Sequence, residues 1–197
     1  RGQLACDLGI AQFILQNASN VARPDTGINN VRAMGEMNGI SVKNGYLQVT
    51  DAADVNAFHK QLSNMEVLGM RDVKACGLVE SFPLYDYTEL STASHTVDLI
   101  YASAAPVGVY NNPDTPAMLS IANDVLLGQY TAALRLAIRR GDCDVYMMPL
   151  GGGAFQNRPQ NIKSAIVGAI EALQSQLHDS KVKVGILTFK SEKTLYS

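Results

Sequence analysis

The sequence predicts an α/β fold in which helices pack against a layered sheet. Its composition supports this, because 47% of the residues are hydrophobic and 17% are charged, as in a globular chain with a substantial core. Short apolar, β-prone segments also alternate with two long helical patterns in the second half of the chain. Strands that are apolar on both faces are typical of a sheet covered by helices on both sides. The strands are predicted at residues 10–18, 96–105, 144–149 and 182–189.

Two helices separate the last three of these strands. The first is predicted over residues 116–139, with Thr115 as its N-cap, Pro116 in its first turn and Gly141 after its last turn. The second is predicted over residues 159–177, where apolar side chains recur at three- and four-residue spacing. Such apolar stripes indicate core packing and imply no cofactor.

The middle of the chain follows a different pattern. Residues 41–49 predict a β-hairpin that turns at Asn44-Gly45, because an Asn-Gly pair favours the tight turns of hairpins. A short helix is predicted over residues 51–62, with Asp51 as its cap. Residues 66–95 show no regular period and are expected to be irregular.

Length and composition favour one domain in a reducing compartment. We interpret residues 1–197 as a single domain and residues 30–95 as a divergent insertion within it. The formal net charge is −2 and no long basic tract occurs, so no nucleic-acid partner is expected. No apolar run approaches the roughly 20 residues that a membrane-spanning helix needs, so no membrane partner is expected. The 3 cysteines form no CxxC pair, which predicts free thiols and a cytoplasmic location.

A run of three glycines marks the candidate site. Gly151, Gly152 and Gly153 follow the strand at 144–149 and precede the helix that starts at Pro159. In an open α/β sheet, ligands bind beyond the carboxyl ends of the strands. Glycines let backbone N–H groups approach an anion, and a following helix N-terminus adds partial positive charge. A phosphate or pyrophosphate fits such a place, and the alternative is a tight structural turn. The run matches neither the P-loop pattern nor GxGxxG.

Four segments together resemble the macrodomain family. "CDLGIAQFILQNASN" has the family's acidic residue, first strand and NAAN-like end. "HTVDLIYASAAPV" resembles its central strand, "DVYMMPLGGGAFQNRP" its second ligand loop, and "VKVGILTFKSEKTLYS" its last strand and closing helix. The resemblance implies a three-layer α/β/α fold with a mixed central sheet. It also implies a site for ADP-ribose that needs no metal and no cofactor.

The resemblance assigns binding roles to both ends of the chain. Asp7 would accept a hydrogen bond from the adenine amino group, with the N–H of Leu8 nearby, and Asn20 would bind the hydroxyls of the distal ribose. Alternatively, Asp7 is a strand-edge cap and Asn20 a turn residue. In the second loop, Phe155 would pack on the distal ribose, or else be a core aromatic. The remaining ligand-binding residues would be Gly151, Gly152, Gly153, Ala154, Gln156 and Asn157, of which Asn157 is alternatively a helix cap.

The first ligand loop departs from the family pattern, because residues 21–39 replace its usual glycine run. Hydrolysis at the anomeric carbon of the distal ribose needs a nearby carboxylate. The acids in this loop are Asp25 and Glu36, and Asn20 would orient the water or the ribose. The alternatives are a turn aspartate for Asp25 and a solvated glutamate for Glu36.

These residues predict an ADP-ribosylhydrolase that acts on ADP-ribosylated protein side chains. One alternative is a non-catalytic reader of ADP-ribose, and another is a hydrolase of a free ADP-ribose derivative. Asn111 and Asn112 follow the strand at 96–105, where they would edge the same site or form the turn before Pro113. The sequence leaves open whether the linkage is to arginine, an acidic side chain or serine.

Overall fold

The computed structural model describes residues 31 and 34 and residues 37–43, 46–74, 78–81, 86–89 and 96–187. The strand predicted at 10–18 lies outside these residues. In chain order the elements are β1 (Ile40–Lys43), β2 (Tyr46–Val49), α1 (Val55–Lys60), β3 (Leu68–Lys74), β4 (Leu78–Ser81), β5 (Asp86–Glu89), β6 (Thr96–Tyr101), α2 (Pro116–Arg140), β7 (Asp144–Met147), α3 (Pro159–Asp179) and β8 (Lys183–Ile186).

The predicted hairpin is confirmed. Strands β1 and β2 pair antiparallel, with Ile40 opposite Val49 and Lys43 opposite Tyr46. This register leaves two residues for the turn, as expected for an Asn-Gly connection. The turn residues themselves lie outside the described part of the chain.

The prediction of irregular structure over 66–95 was wrong for three segments. Strand β3 pairs antiparallel with β6, and β4 pairs antiparallel with β5. The β3–β6 register shifts between Met70 and Val73, and Asp72 within the shift has a φ of 55°. Such a bulge disturbs the two-residue alternation by which a strand is recognised in sequence.

The short helix α1 starts later than predicted. Its cap is Asp54 rather than Asp51, because the Asp54 carboxylate accepts a hydrogen bond from the N–H of Ala57 at 2.9 Å. Phe58 is fully buried on this helix, which fixes the face that α1 turns to the core.

Both long helices form where the sequence predicts them. The Thr115 hydroxyl accepts a hydrogen bond from the N–H of Met118 at 3.3 Å, and Pro116 occupies the first turn of α2. At the other end, Gly141 has a φ of 67°, and its N–H donates to the carbonyl of Ala137 at 2.9 Å. Helix α3 starts at Pro159, as expected.

The described strands pair as four two-stranded sheets, β1–β2, β3–β6, β4–β5 and β7–β8. Strands β7 and β8 are parallel and connected through α3, which is the βαβ unit that the alternation predicts. The structure is thus mixed helix and strand, compatible with the α/β class. One mixed central sheet is not seen in the described residues and stays a prediction.

Helix α2 connects two hydrophobic cores. The main core, beside α3 and β7, takes the α2 residues Leu126, Tyr130, Leu134 and Ala137. The hairpin core, beside β2 and α1, takes the α2 residues Met118, Ile121, Ala122 and Val125. Because one helix contributes to both cores, the hairpin and the β7–α3–β8 unit share one support.

Strand β7 differs from the expectation of burial on both faces. Met147 is buried, whereas Tyr146 and Met148 are 62% and 61% exposed, so the strand alternates between a covered and an open face. Among the helices that the structure describes, none combines the length and apolar character needed to cross a membrane.

Candidate functional site

The glycine loop, residues 148–158, connects β7 to α3 and is anchored by a tyrosine of α2. The buried Tyr130 hydroxyl donates a hydrogen bond to the carbonyl of Met148 at 2.8 Å. It also accepts one from the N–H of Leu150 at 2.8 Å. The core-facing stripe of α2 therefore fixes the point where the loop leaves the strand.

Asn157 holds the loop from within. Its side chain is buried, and its amide nitrogen donates to the carbonyl of Ala105 at 2.9 Å. Its backbone N–H donates to the carbonyl of Gly151 at 2.9 Å, which closes the loop on itself. The alternative reading of Asn157 as a helix cap was wrong, since Arg158 is the N-cap of α3 and makes no side-chain cap bond.

The three glycines serve two different purposes. Gly151 has a φ of 72°, and a Cβ there would lie 2.5 Å from the Asn157 amide nitrogen and 2.6 Å from the Ala104 Cβ. Only glycine suits this position, so the tight structural turn is correct for Gly151. Gly153 differs, because a Cβ there would meet nothing within 4 Å. The second half of the loop therefore borders open space.

The backbone N–H groups in the second half of the loop differ in their hydrogen bonding. Within the described residues, the N–H groups of Gly153, Ala154 and Phe155 donate no hydrogen bond, whereas that of Gln156 donates to the Gly153 carbonyl at 3.0 Å. The N-terminus of α3 follows directly and adds partial positive charge, although Pro159 has no N–H and the N–H of Asn161 already donates to the Arg158 carbonyl at 3.0 Å. Such an array suits an anion.

A second loop, residues 102–115, supports the glycine loop from the side. The N–H of Val107 donates to the carbonyl of Phe155 at 2.9 Å. Asn112 is buried, and its amide accepts from the N–H of Val49 at 2.9 Å and donates to the carbonyls of Leu47 and Pro106. Asn112 therefore ties the hairpin to this loop, while Asn111 is exposed with a φ of 68°. The turn interpretation of this pair is the one that the structure favours.

Three aromatic rings meet where the hairpin and these two loops converge. Tyr46 and Tyr110 stack with ring centroids 4.7 Å apart and an interplanar angle of 10°. Phe155 approaches both rings edge-on, at 5.9 Å from Tyr46 and 5.7 Å from Tyr110. We call these three residues the aromatic cluster. Phe155 also packs against the main core, as the core-aromatic alternative expects, and its packing on a ribose stays a prediction.

Two charged side chains lie beside the glycine loop. Arg158 and Asp114 approach at 3.9 Å, and both side chains are more than half exposed. Gln156 is exposed with a φ of 55°, and its side-chain oxygen would lie 3.8 Å from a Cβ on Gly108. The predicted loop residues Gly152 and Ala154 are also exposed. A ligand can therefore reach most of this loop.

The sequence-predicted residues from the first third of the chain lie outside the described residues. These are Asp7, Leu8, Asn20, Asp25 and Glu36. The site as described consists of the glycine loop, the aromatic cluster and the Arg158–Asp114 pair. Sequence reasoning missed Tyr46, Tyr110 and Arg158, and the only available signal was that Tyr46 follows the Asn-Gly turn.

The other reactive side chains lie apart from this site. His59 contacts the Asp124 carboxylate at 3.1 Å between α1 and α2. Cys143 is a free thiol, and burial followed by the nearby Asp98 carboxylate raises its pKa above 9.0. A thiol of raised pKa is a poor nucleophile at neutral pH. Within the part of the chain that the structure describes, no group of three or more His, Cys, Asp or Glu side chains is placed to hold a metal ion.

A comparison of the sequence with models of known protein families found no match, and a search of curated proteins found none either.

Proposed function

We propose that this protein binds ADP-ribose through the glycine loop and hydrolyses ADP-ribose from modified protein side chains. The observation that carries the proposal is a run of three N–H groups, at Gly153, Ala154 and Phe155, that donate to no acceptor among the described residues and come directly before the N-terminus of α3. A diphosphate has enough acceptor oxygens to take all three. The macrodomain-like motifs at both ends of the sequence support ADP-ribose as the ligand.

The geometry suggests an orientation for the ligand. The diphosphate would lie on the amides of the loop, with the exposed Arg158 guanidinium close enough to add charge. Phe155 would pack against the distal ribose, because its ring stands at the end of the amide run. Asp7 would hold the adenine at the opposite end, as the resemblance implies.

Hydrolysis would proceed at the anomeric carbon of the distal ribose. Asp25, or Glu36 in its place, would take a proton from water as the water oxygen bonds to that carbon. The bond to the protein side chain would break with its electron pair on the leaving atom, which then takes up the proton. Asn20 would orient the water or the ribose hydroxyls.

A non-catalytic reader is the second candidate, and one observation favours it. In the described part of the site the acid beside the glycine loop is Asp114, and it is already paired with Arg158. The described residues thus supply binding groups, while the proposed catalytic acids come from the first ligand loop. A hydrolase of a free ADP-ribose derivative would use the same binding groups.

Calorimetry with ADP-ribose tests binding. We expect Asp7→Ala to abolish binding, while Asp179→Ala leaves it unchanged because Asp179 lies at the far end of α3. Ala154→Pro deletes one N–H donor and should weaken binding, whereas Ala154→Ser keeps the donor and should not. The absence of ADP-ribose binding by the unmodified protein would refute the proposal.

A release assay on ADP-ribosylated proteins then separates hydrolase from reader. We expect the unmodified protein to release ADP-ribose and Asp25→Ala to release none while still binding it. Binding without any release would establish the reader instead.

A further inference from the structure

We propose that the aromatic cluster receives a guanidinium group, so that arginine-linked ADP-ribose is the substrate class of this site. This inference rests on the proposed function, because it uses the same ligand orientation. It adds a specificity determinant, Tyr110 supported by Tyr46, which lies outside the glycine loop.

The backbone at Tyr110 has a strained conformation. Its φ is 54°, a left-handed conformation that is a genuine outlier for a bulky side chain. The position is stabilised from the hairpin, because the Gln48 side-chain amide donates to the Tyr110 carbonyl at 3.1 Å and the ring stacks on Tyr46. Strained residues of this kind cluster at binding sites, where the strain places a group for a ligand.

Part of the Tyr110 residue is also accessible to a ligand. Stacking on Tyr46 covers one face, yet 46% of the residue is exposed. The electron-rich face of a tyrosine attracts planar cations, and a guanidinium both stacks on it and carries the charge. Asp114, on the same loop, is a carboxylate that lies 3.9 Å from the guanidinium of Arg158.

The location decides which part of the substrate reaches the cluster. Phe155 is shared between the cluster and the proposed distal ribose position, so whatever is bonded to that ribose emerges beside Tyr110. A guanidinium bonded to the sugar through one nitrogen remains planar and cationic. Serine and carboxylate linkages are neutral at this point and offer the aromatic face no charge.

Titration calorimetry at low temperature, which slows hydrolysis, tests the inference with three probes. These are ADP-ribose, an arginine-linked ADP-ribosyl peptide and the matching serine-linked peptide. Chromatography after each titration verifies that the probe is intact. We expect the arginine-linked peptide to bind about 3- to 10-fold more tightly than the serine-linked one, the range of a partly exposed cation–π contact. Tyr110→Ala should remove that difference, because it weakens binding of the arginine-linked peptide more than binding of the other two probes.

Two further variants make the result specific. Tyr110→Phe keeps the aromatic face and should retain the preference, and Tyr146→Ala removes a more exposed tyrosine, on β7, without effect. Equal affinity for both peptides, in a protein that binds ADP-ribose, overturns this inference alone. If Tyr110→Ala keeps the fold but loses the same affinity for all three probes, the adenine binds at Tyr110. That result also overturns the inference. A protein that binds no probe refutes the proposed function and this inference with it.

Discussion

At the scale of single residues, the glycine run shows how neighbouring identical residues can have opposite constraints. Gly151 is enclosed by Asn157 and Ala104, whereas Gly153 borders open space. The first therefore specifies the fold of the loop, and the second keeps the loop accessible. A motif-level description of three glycines does not separate these purposes.

We expect Gly151→Ala to lower the free energy of unfolding by about 2–4 kcal/mol, from the left-handed backbone and from overpacking. Gly153→Ala should change it by less than about 1 kcal/mol, because the new methyl group meets nothing. Urea denaturation of both variants measures the difference. Equal effects would mean that the loop does not enclose Gly151 as described.

Lys181 offers a stabilising change at the end of α3. Its φ is 54° and its side chain is exposed, so a lysine occupies a position that normally favours glycine. We expect Lys181→Gly to raise the free energy of unfolding by about 0.5–1 kcal/mol, net of the added chain entropy. Ser180→Gly, at a φ of −84°, should instead destabilise. A thermal melt that ranks the two the other way would contradict the assignment.

The Cys143 thiol makes stability depend on pH in the alkaline range. Because burial raises its pKa in the folded state, its contribution is fully present below the unfolded value and is lost as pH rises through the folded pKa. We expect the stability difference between the unmodified protein and Cys143→Ala to be constant below pH 8 and to shrink above pH 9.0. Urea titrations at a series of pH values test this prediction. A stability difference that grew with pH would contradict the predicted direction of the pKa shift.

At the scale of elements, the sequence predicted correctly those helix ends and turns that depend on interactions between neighbouring residues. The caps at Thr115 and Gly141 and the hairpin register follow from neighbouring residues, and all are present. Strands β3 to β5 were missed, because a bulge breaks the alternation in β3 and β5 is polar along "DYTE". Pairing with a distant strand, rather than local propensity, makes these segments extended.

The candidate site also has one part that the sequence predicts and one part that it does not. The glycine loop is visible in the sequence, because strand, glycines and helix are contiguous. The stacking of Tyr46 on Tyr110 joins residues 64 positions apart, and the buried amide of Asn112 bridges a similar separation to Leu47. Contacts of this range follow from tertiary packing, which no local pattern encodes.

The anchoring of the glycine loop by α2 gives a prediction about coupling between elements. Tyr130→Phe leaves the ring in place but removes both hydrogen bonds at Met148 and Leu150, so we expect a loss of about 1–3 kcal/mol in unfolding free energy. ADP-ribose affinity should fall as well, because the loop loses its fixed origin. The control is Tyr146→Phe, whose exposed hydroxyl should contribute less than about 0.5 kcal/mol. Urea denaturation and calorimetry on both variants test this coupling. Unchanged ADP-ribose affinity in Tyr130→Phe would show that the glycine loop keeps its shape without the Tyr130 hydrogen bonds.

At the scale of the whole molecule, α2 is the common support of the site. Its first half packs in the hairpin core, which includes Leu47 next to Tyr46, and its second half packs in the main core, against which Leu150 and Phe155 of the glycine loop lie. The aromatic cluster joins the two units at the surface. The residues of the candidate site therefore keep their relative positions only while both cores are packed.

This arrangement predicts that the two cores unfold together. Ile166→Val removes one methyl group from the main core on α3 and should cost about 0.5–1.5 kcal/mol. If α2 couples the cores, the free energy of opening should fall by that same amount for the amides of β2, which lie in the hairpin core. Native-state hydrogen exchange measures both regions in one experiment. Loss of protection confined to α3 and β7 would mean that the hairpin core is stable independently, and the aromatic cluster would then join two units that move separately.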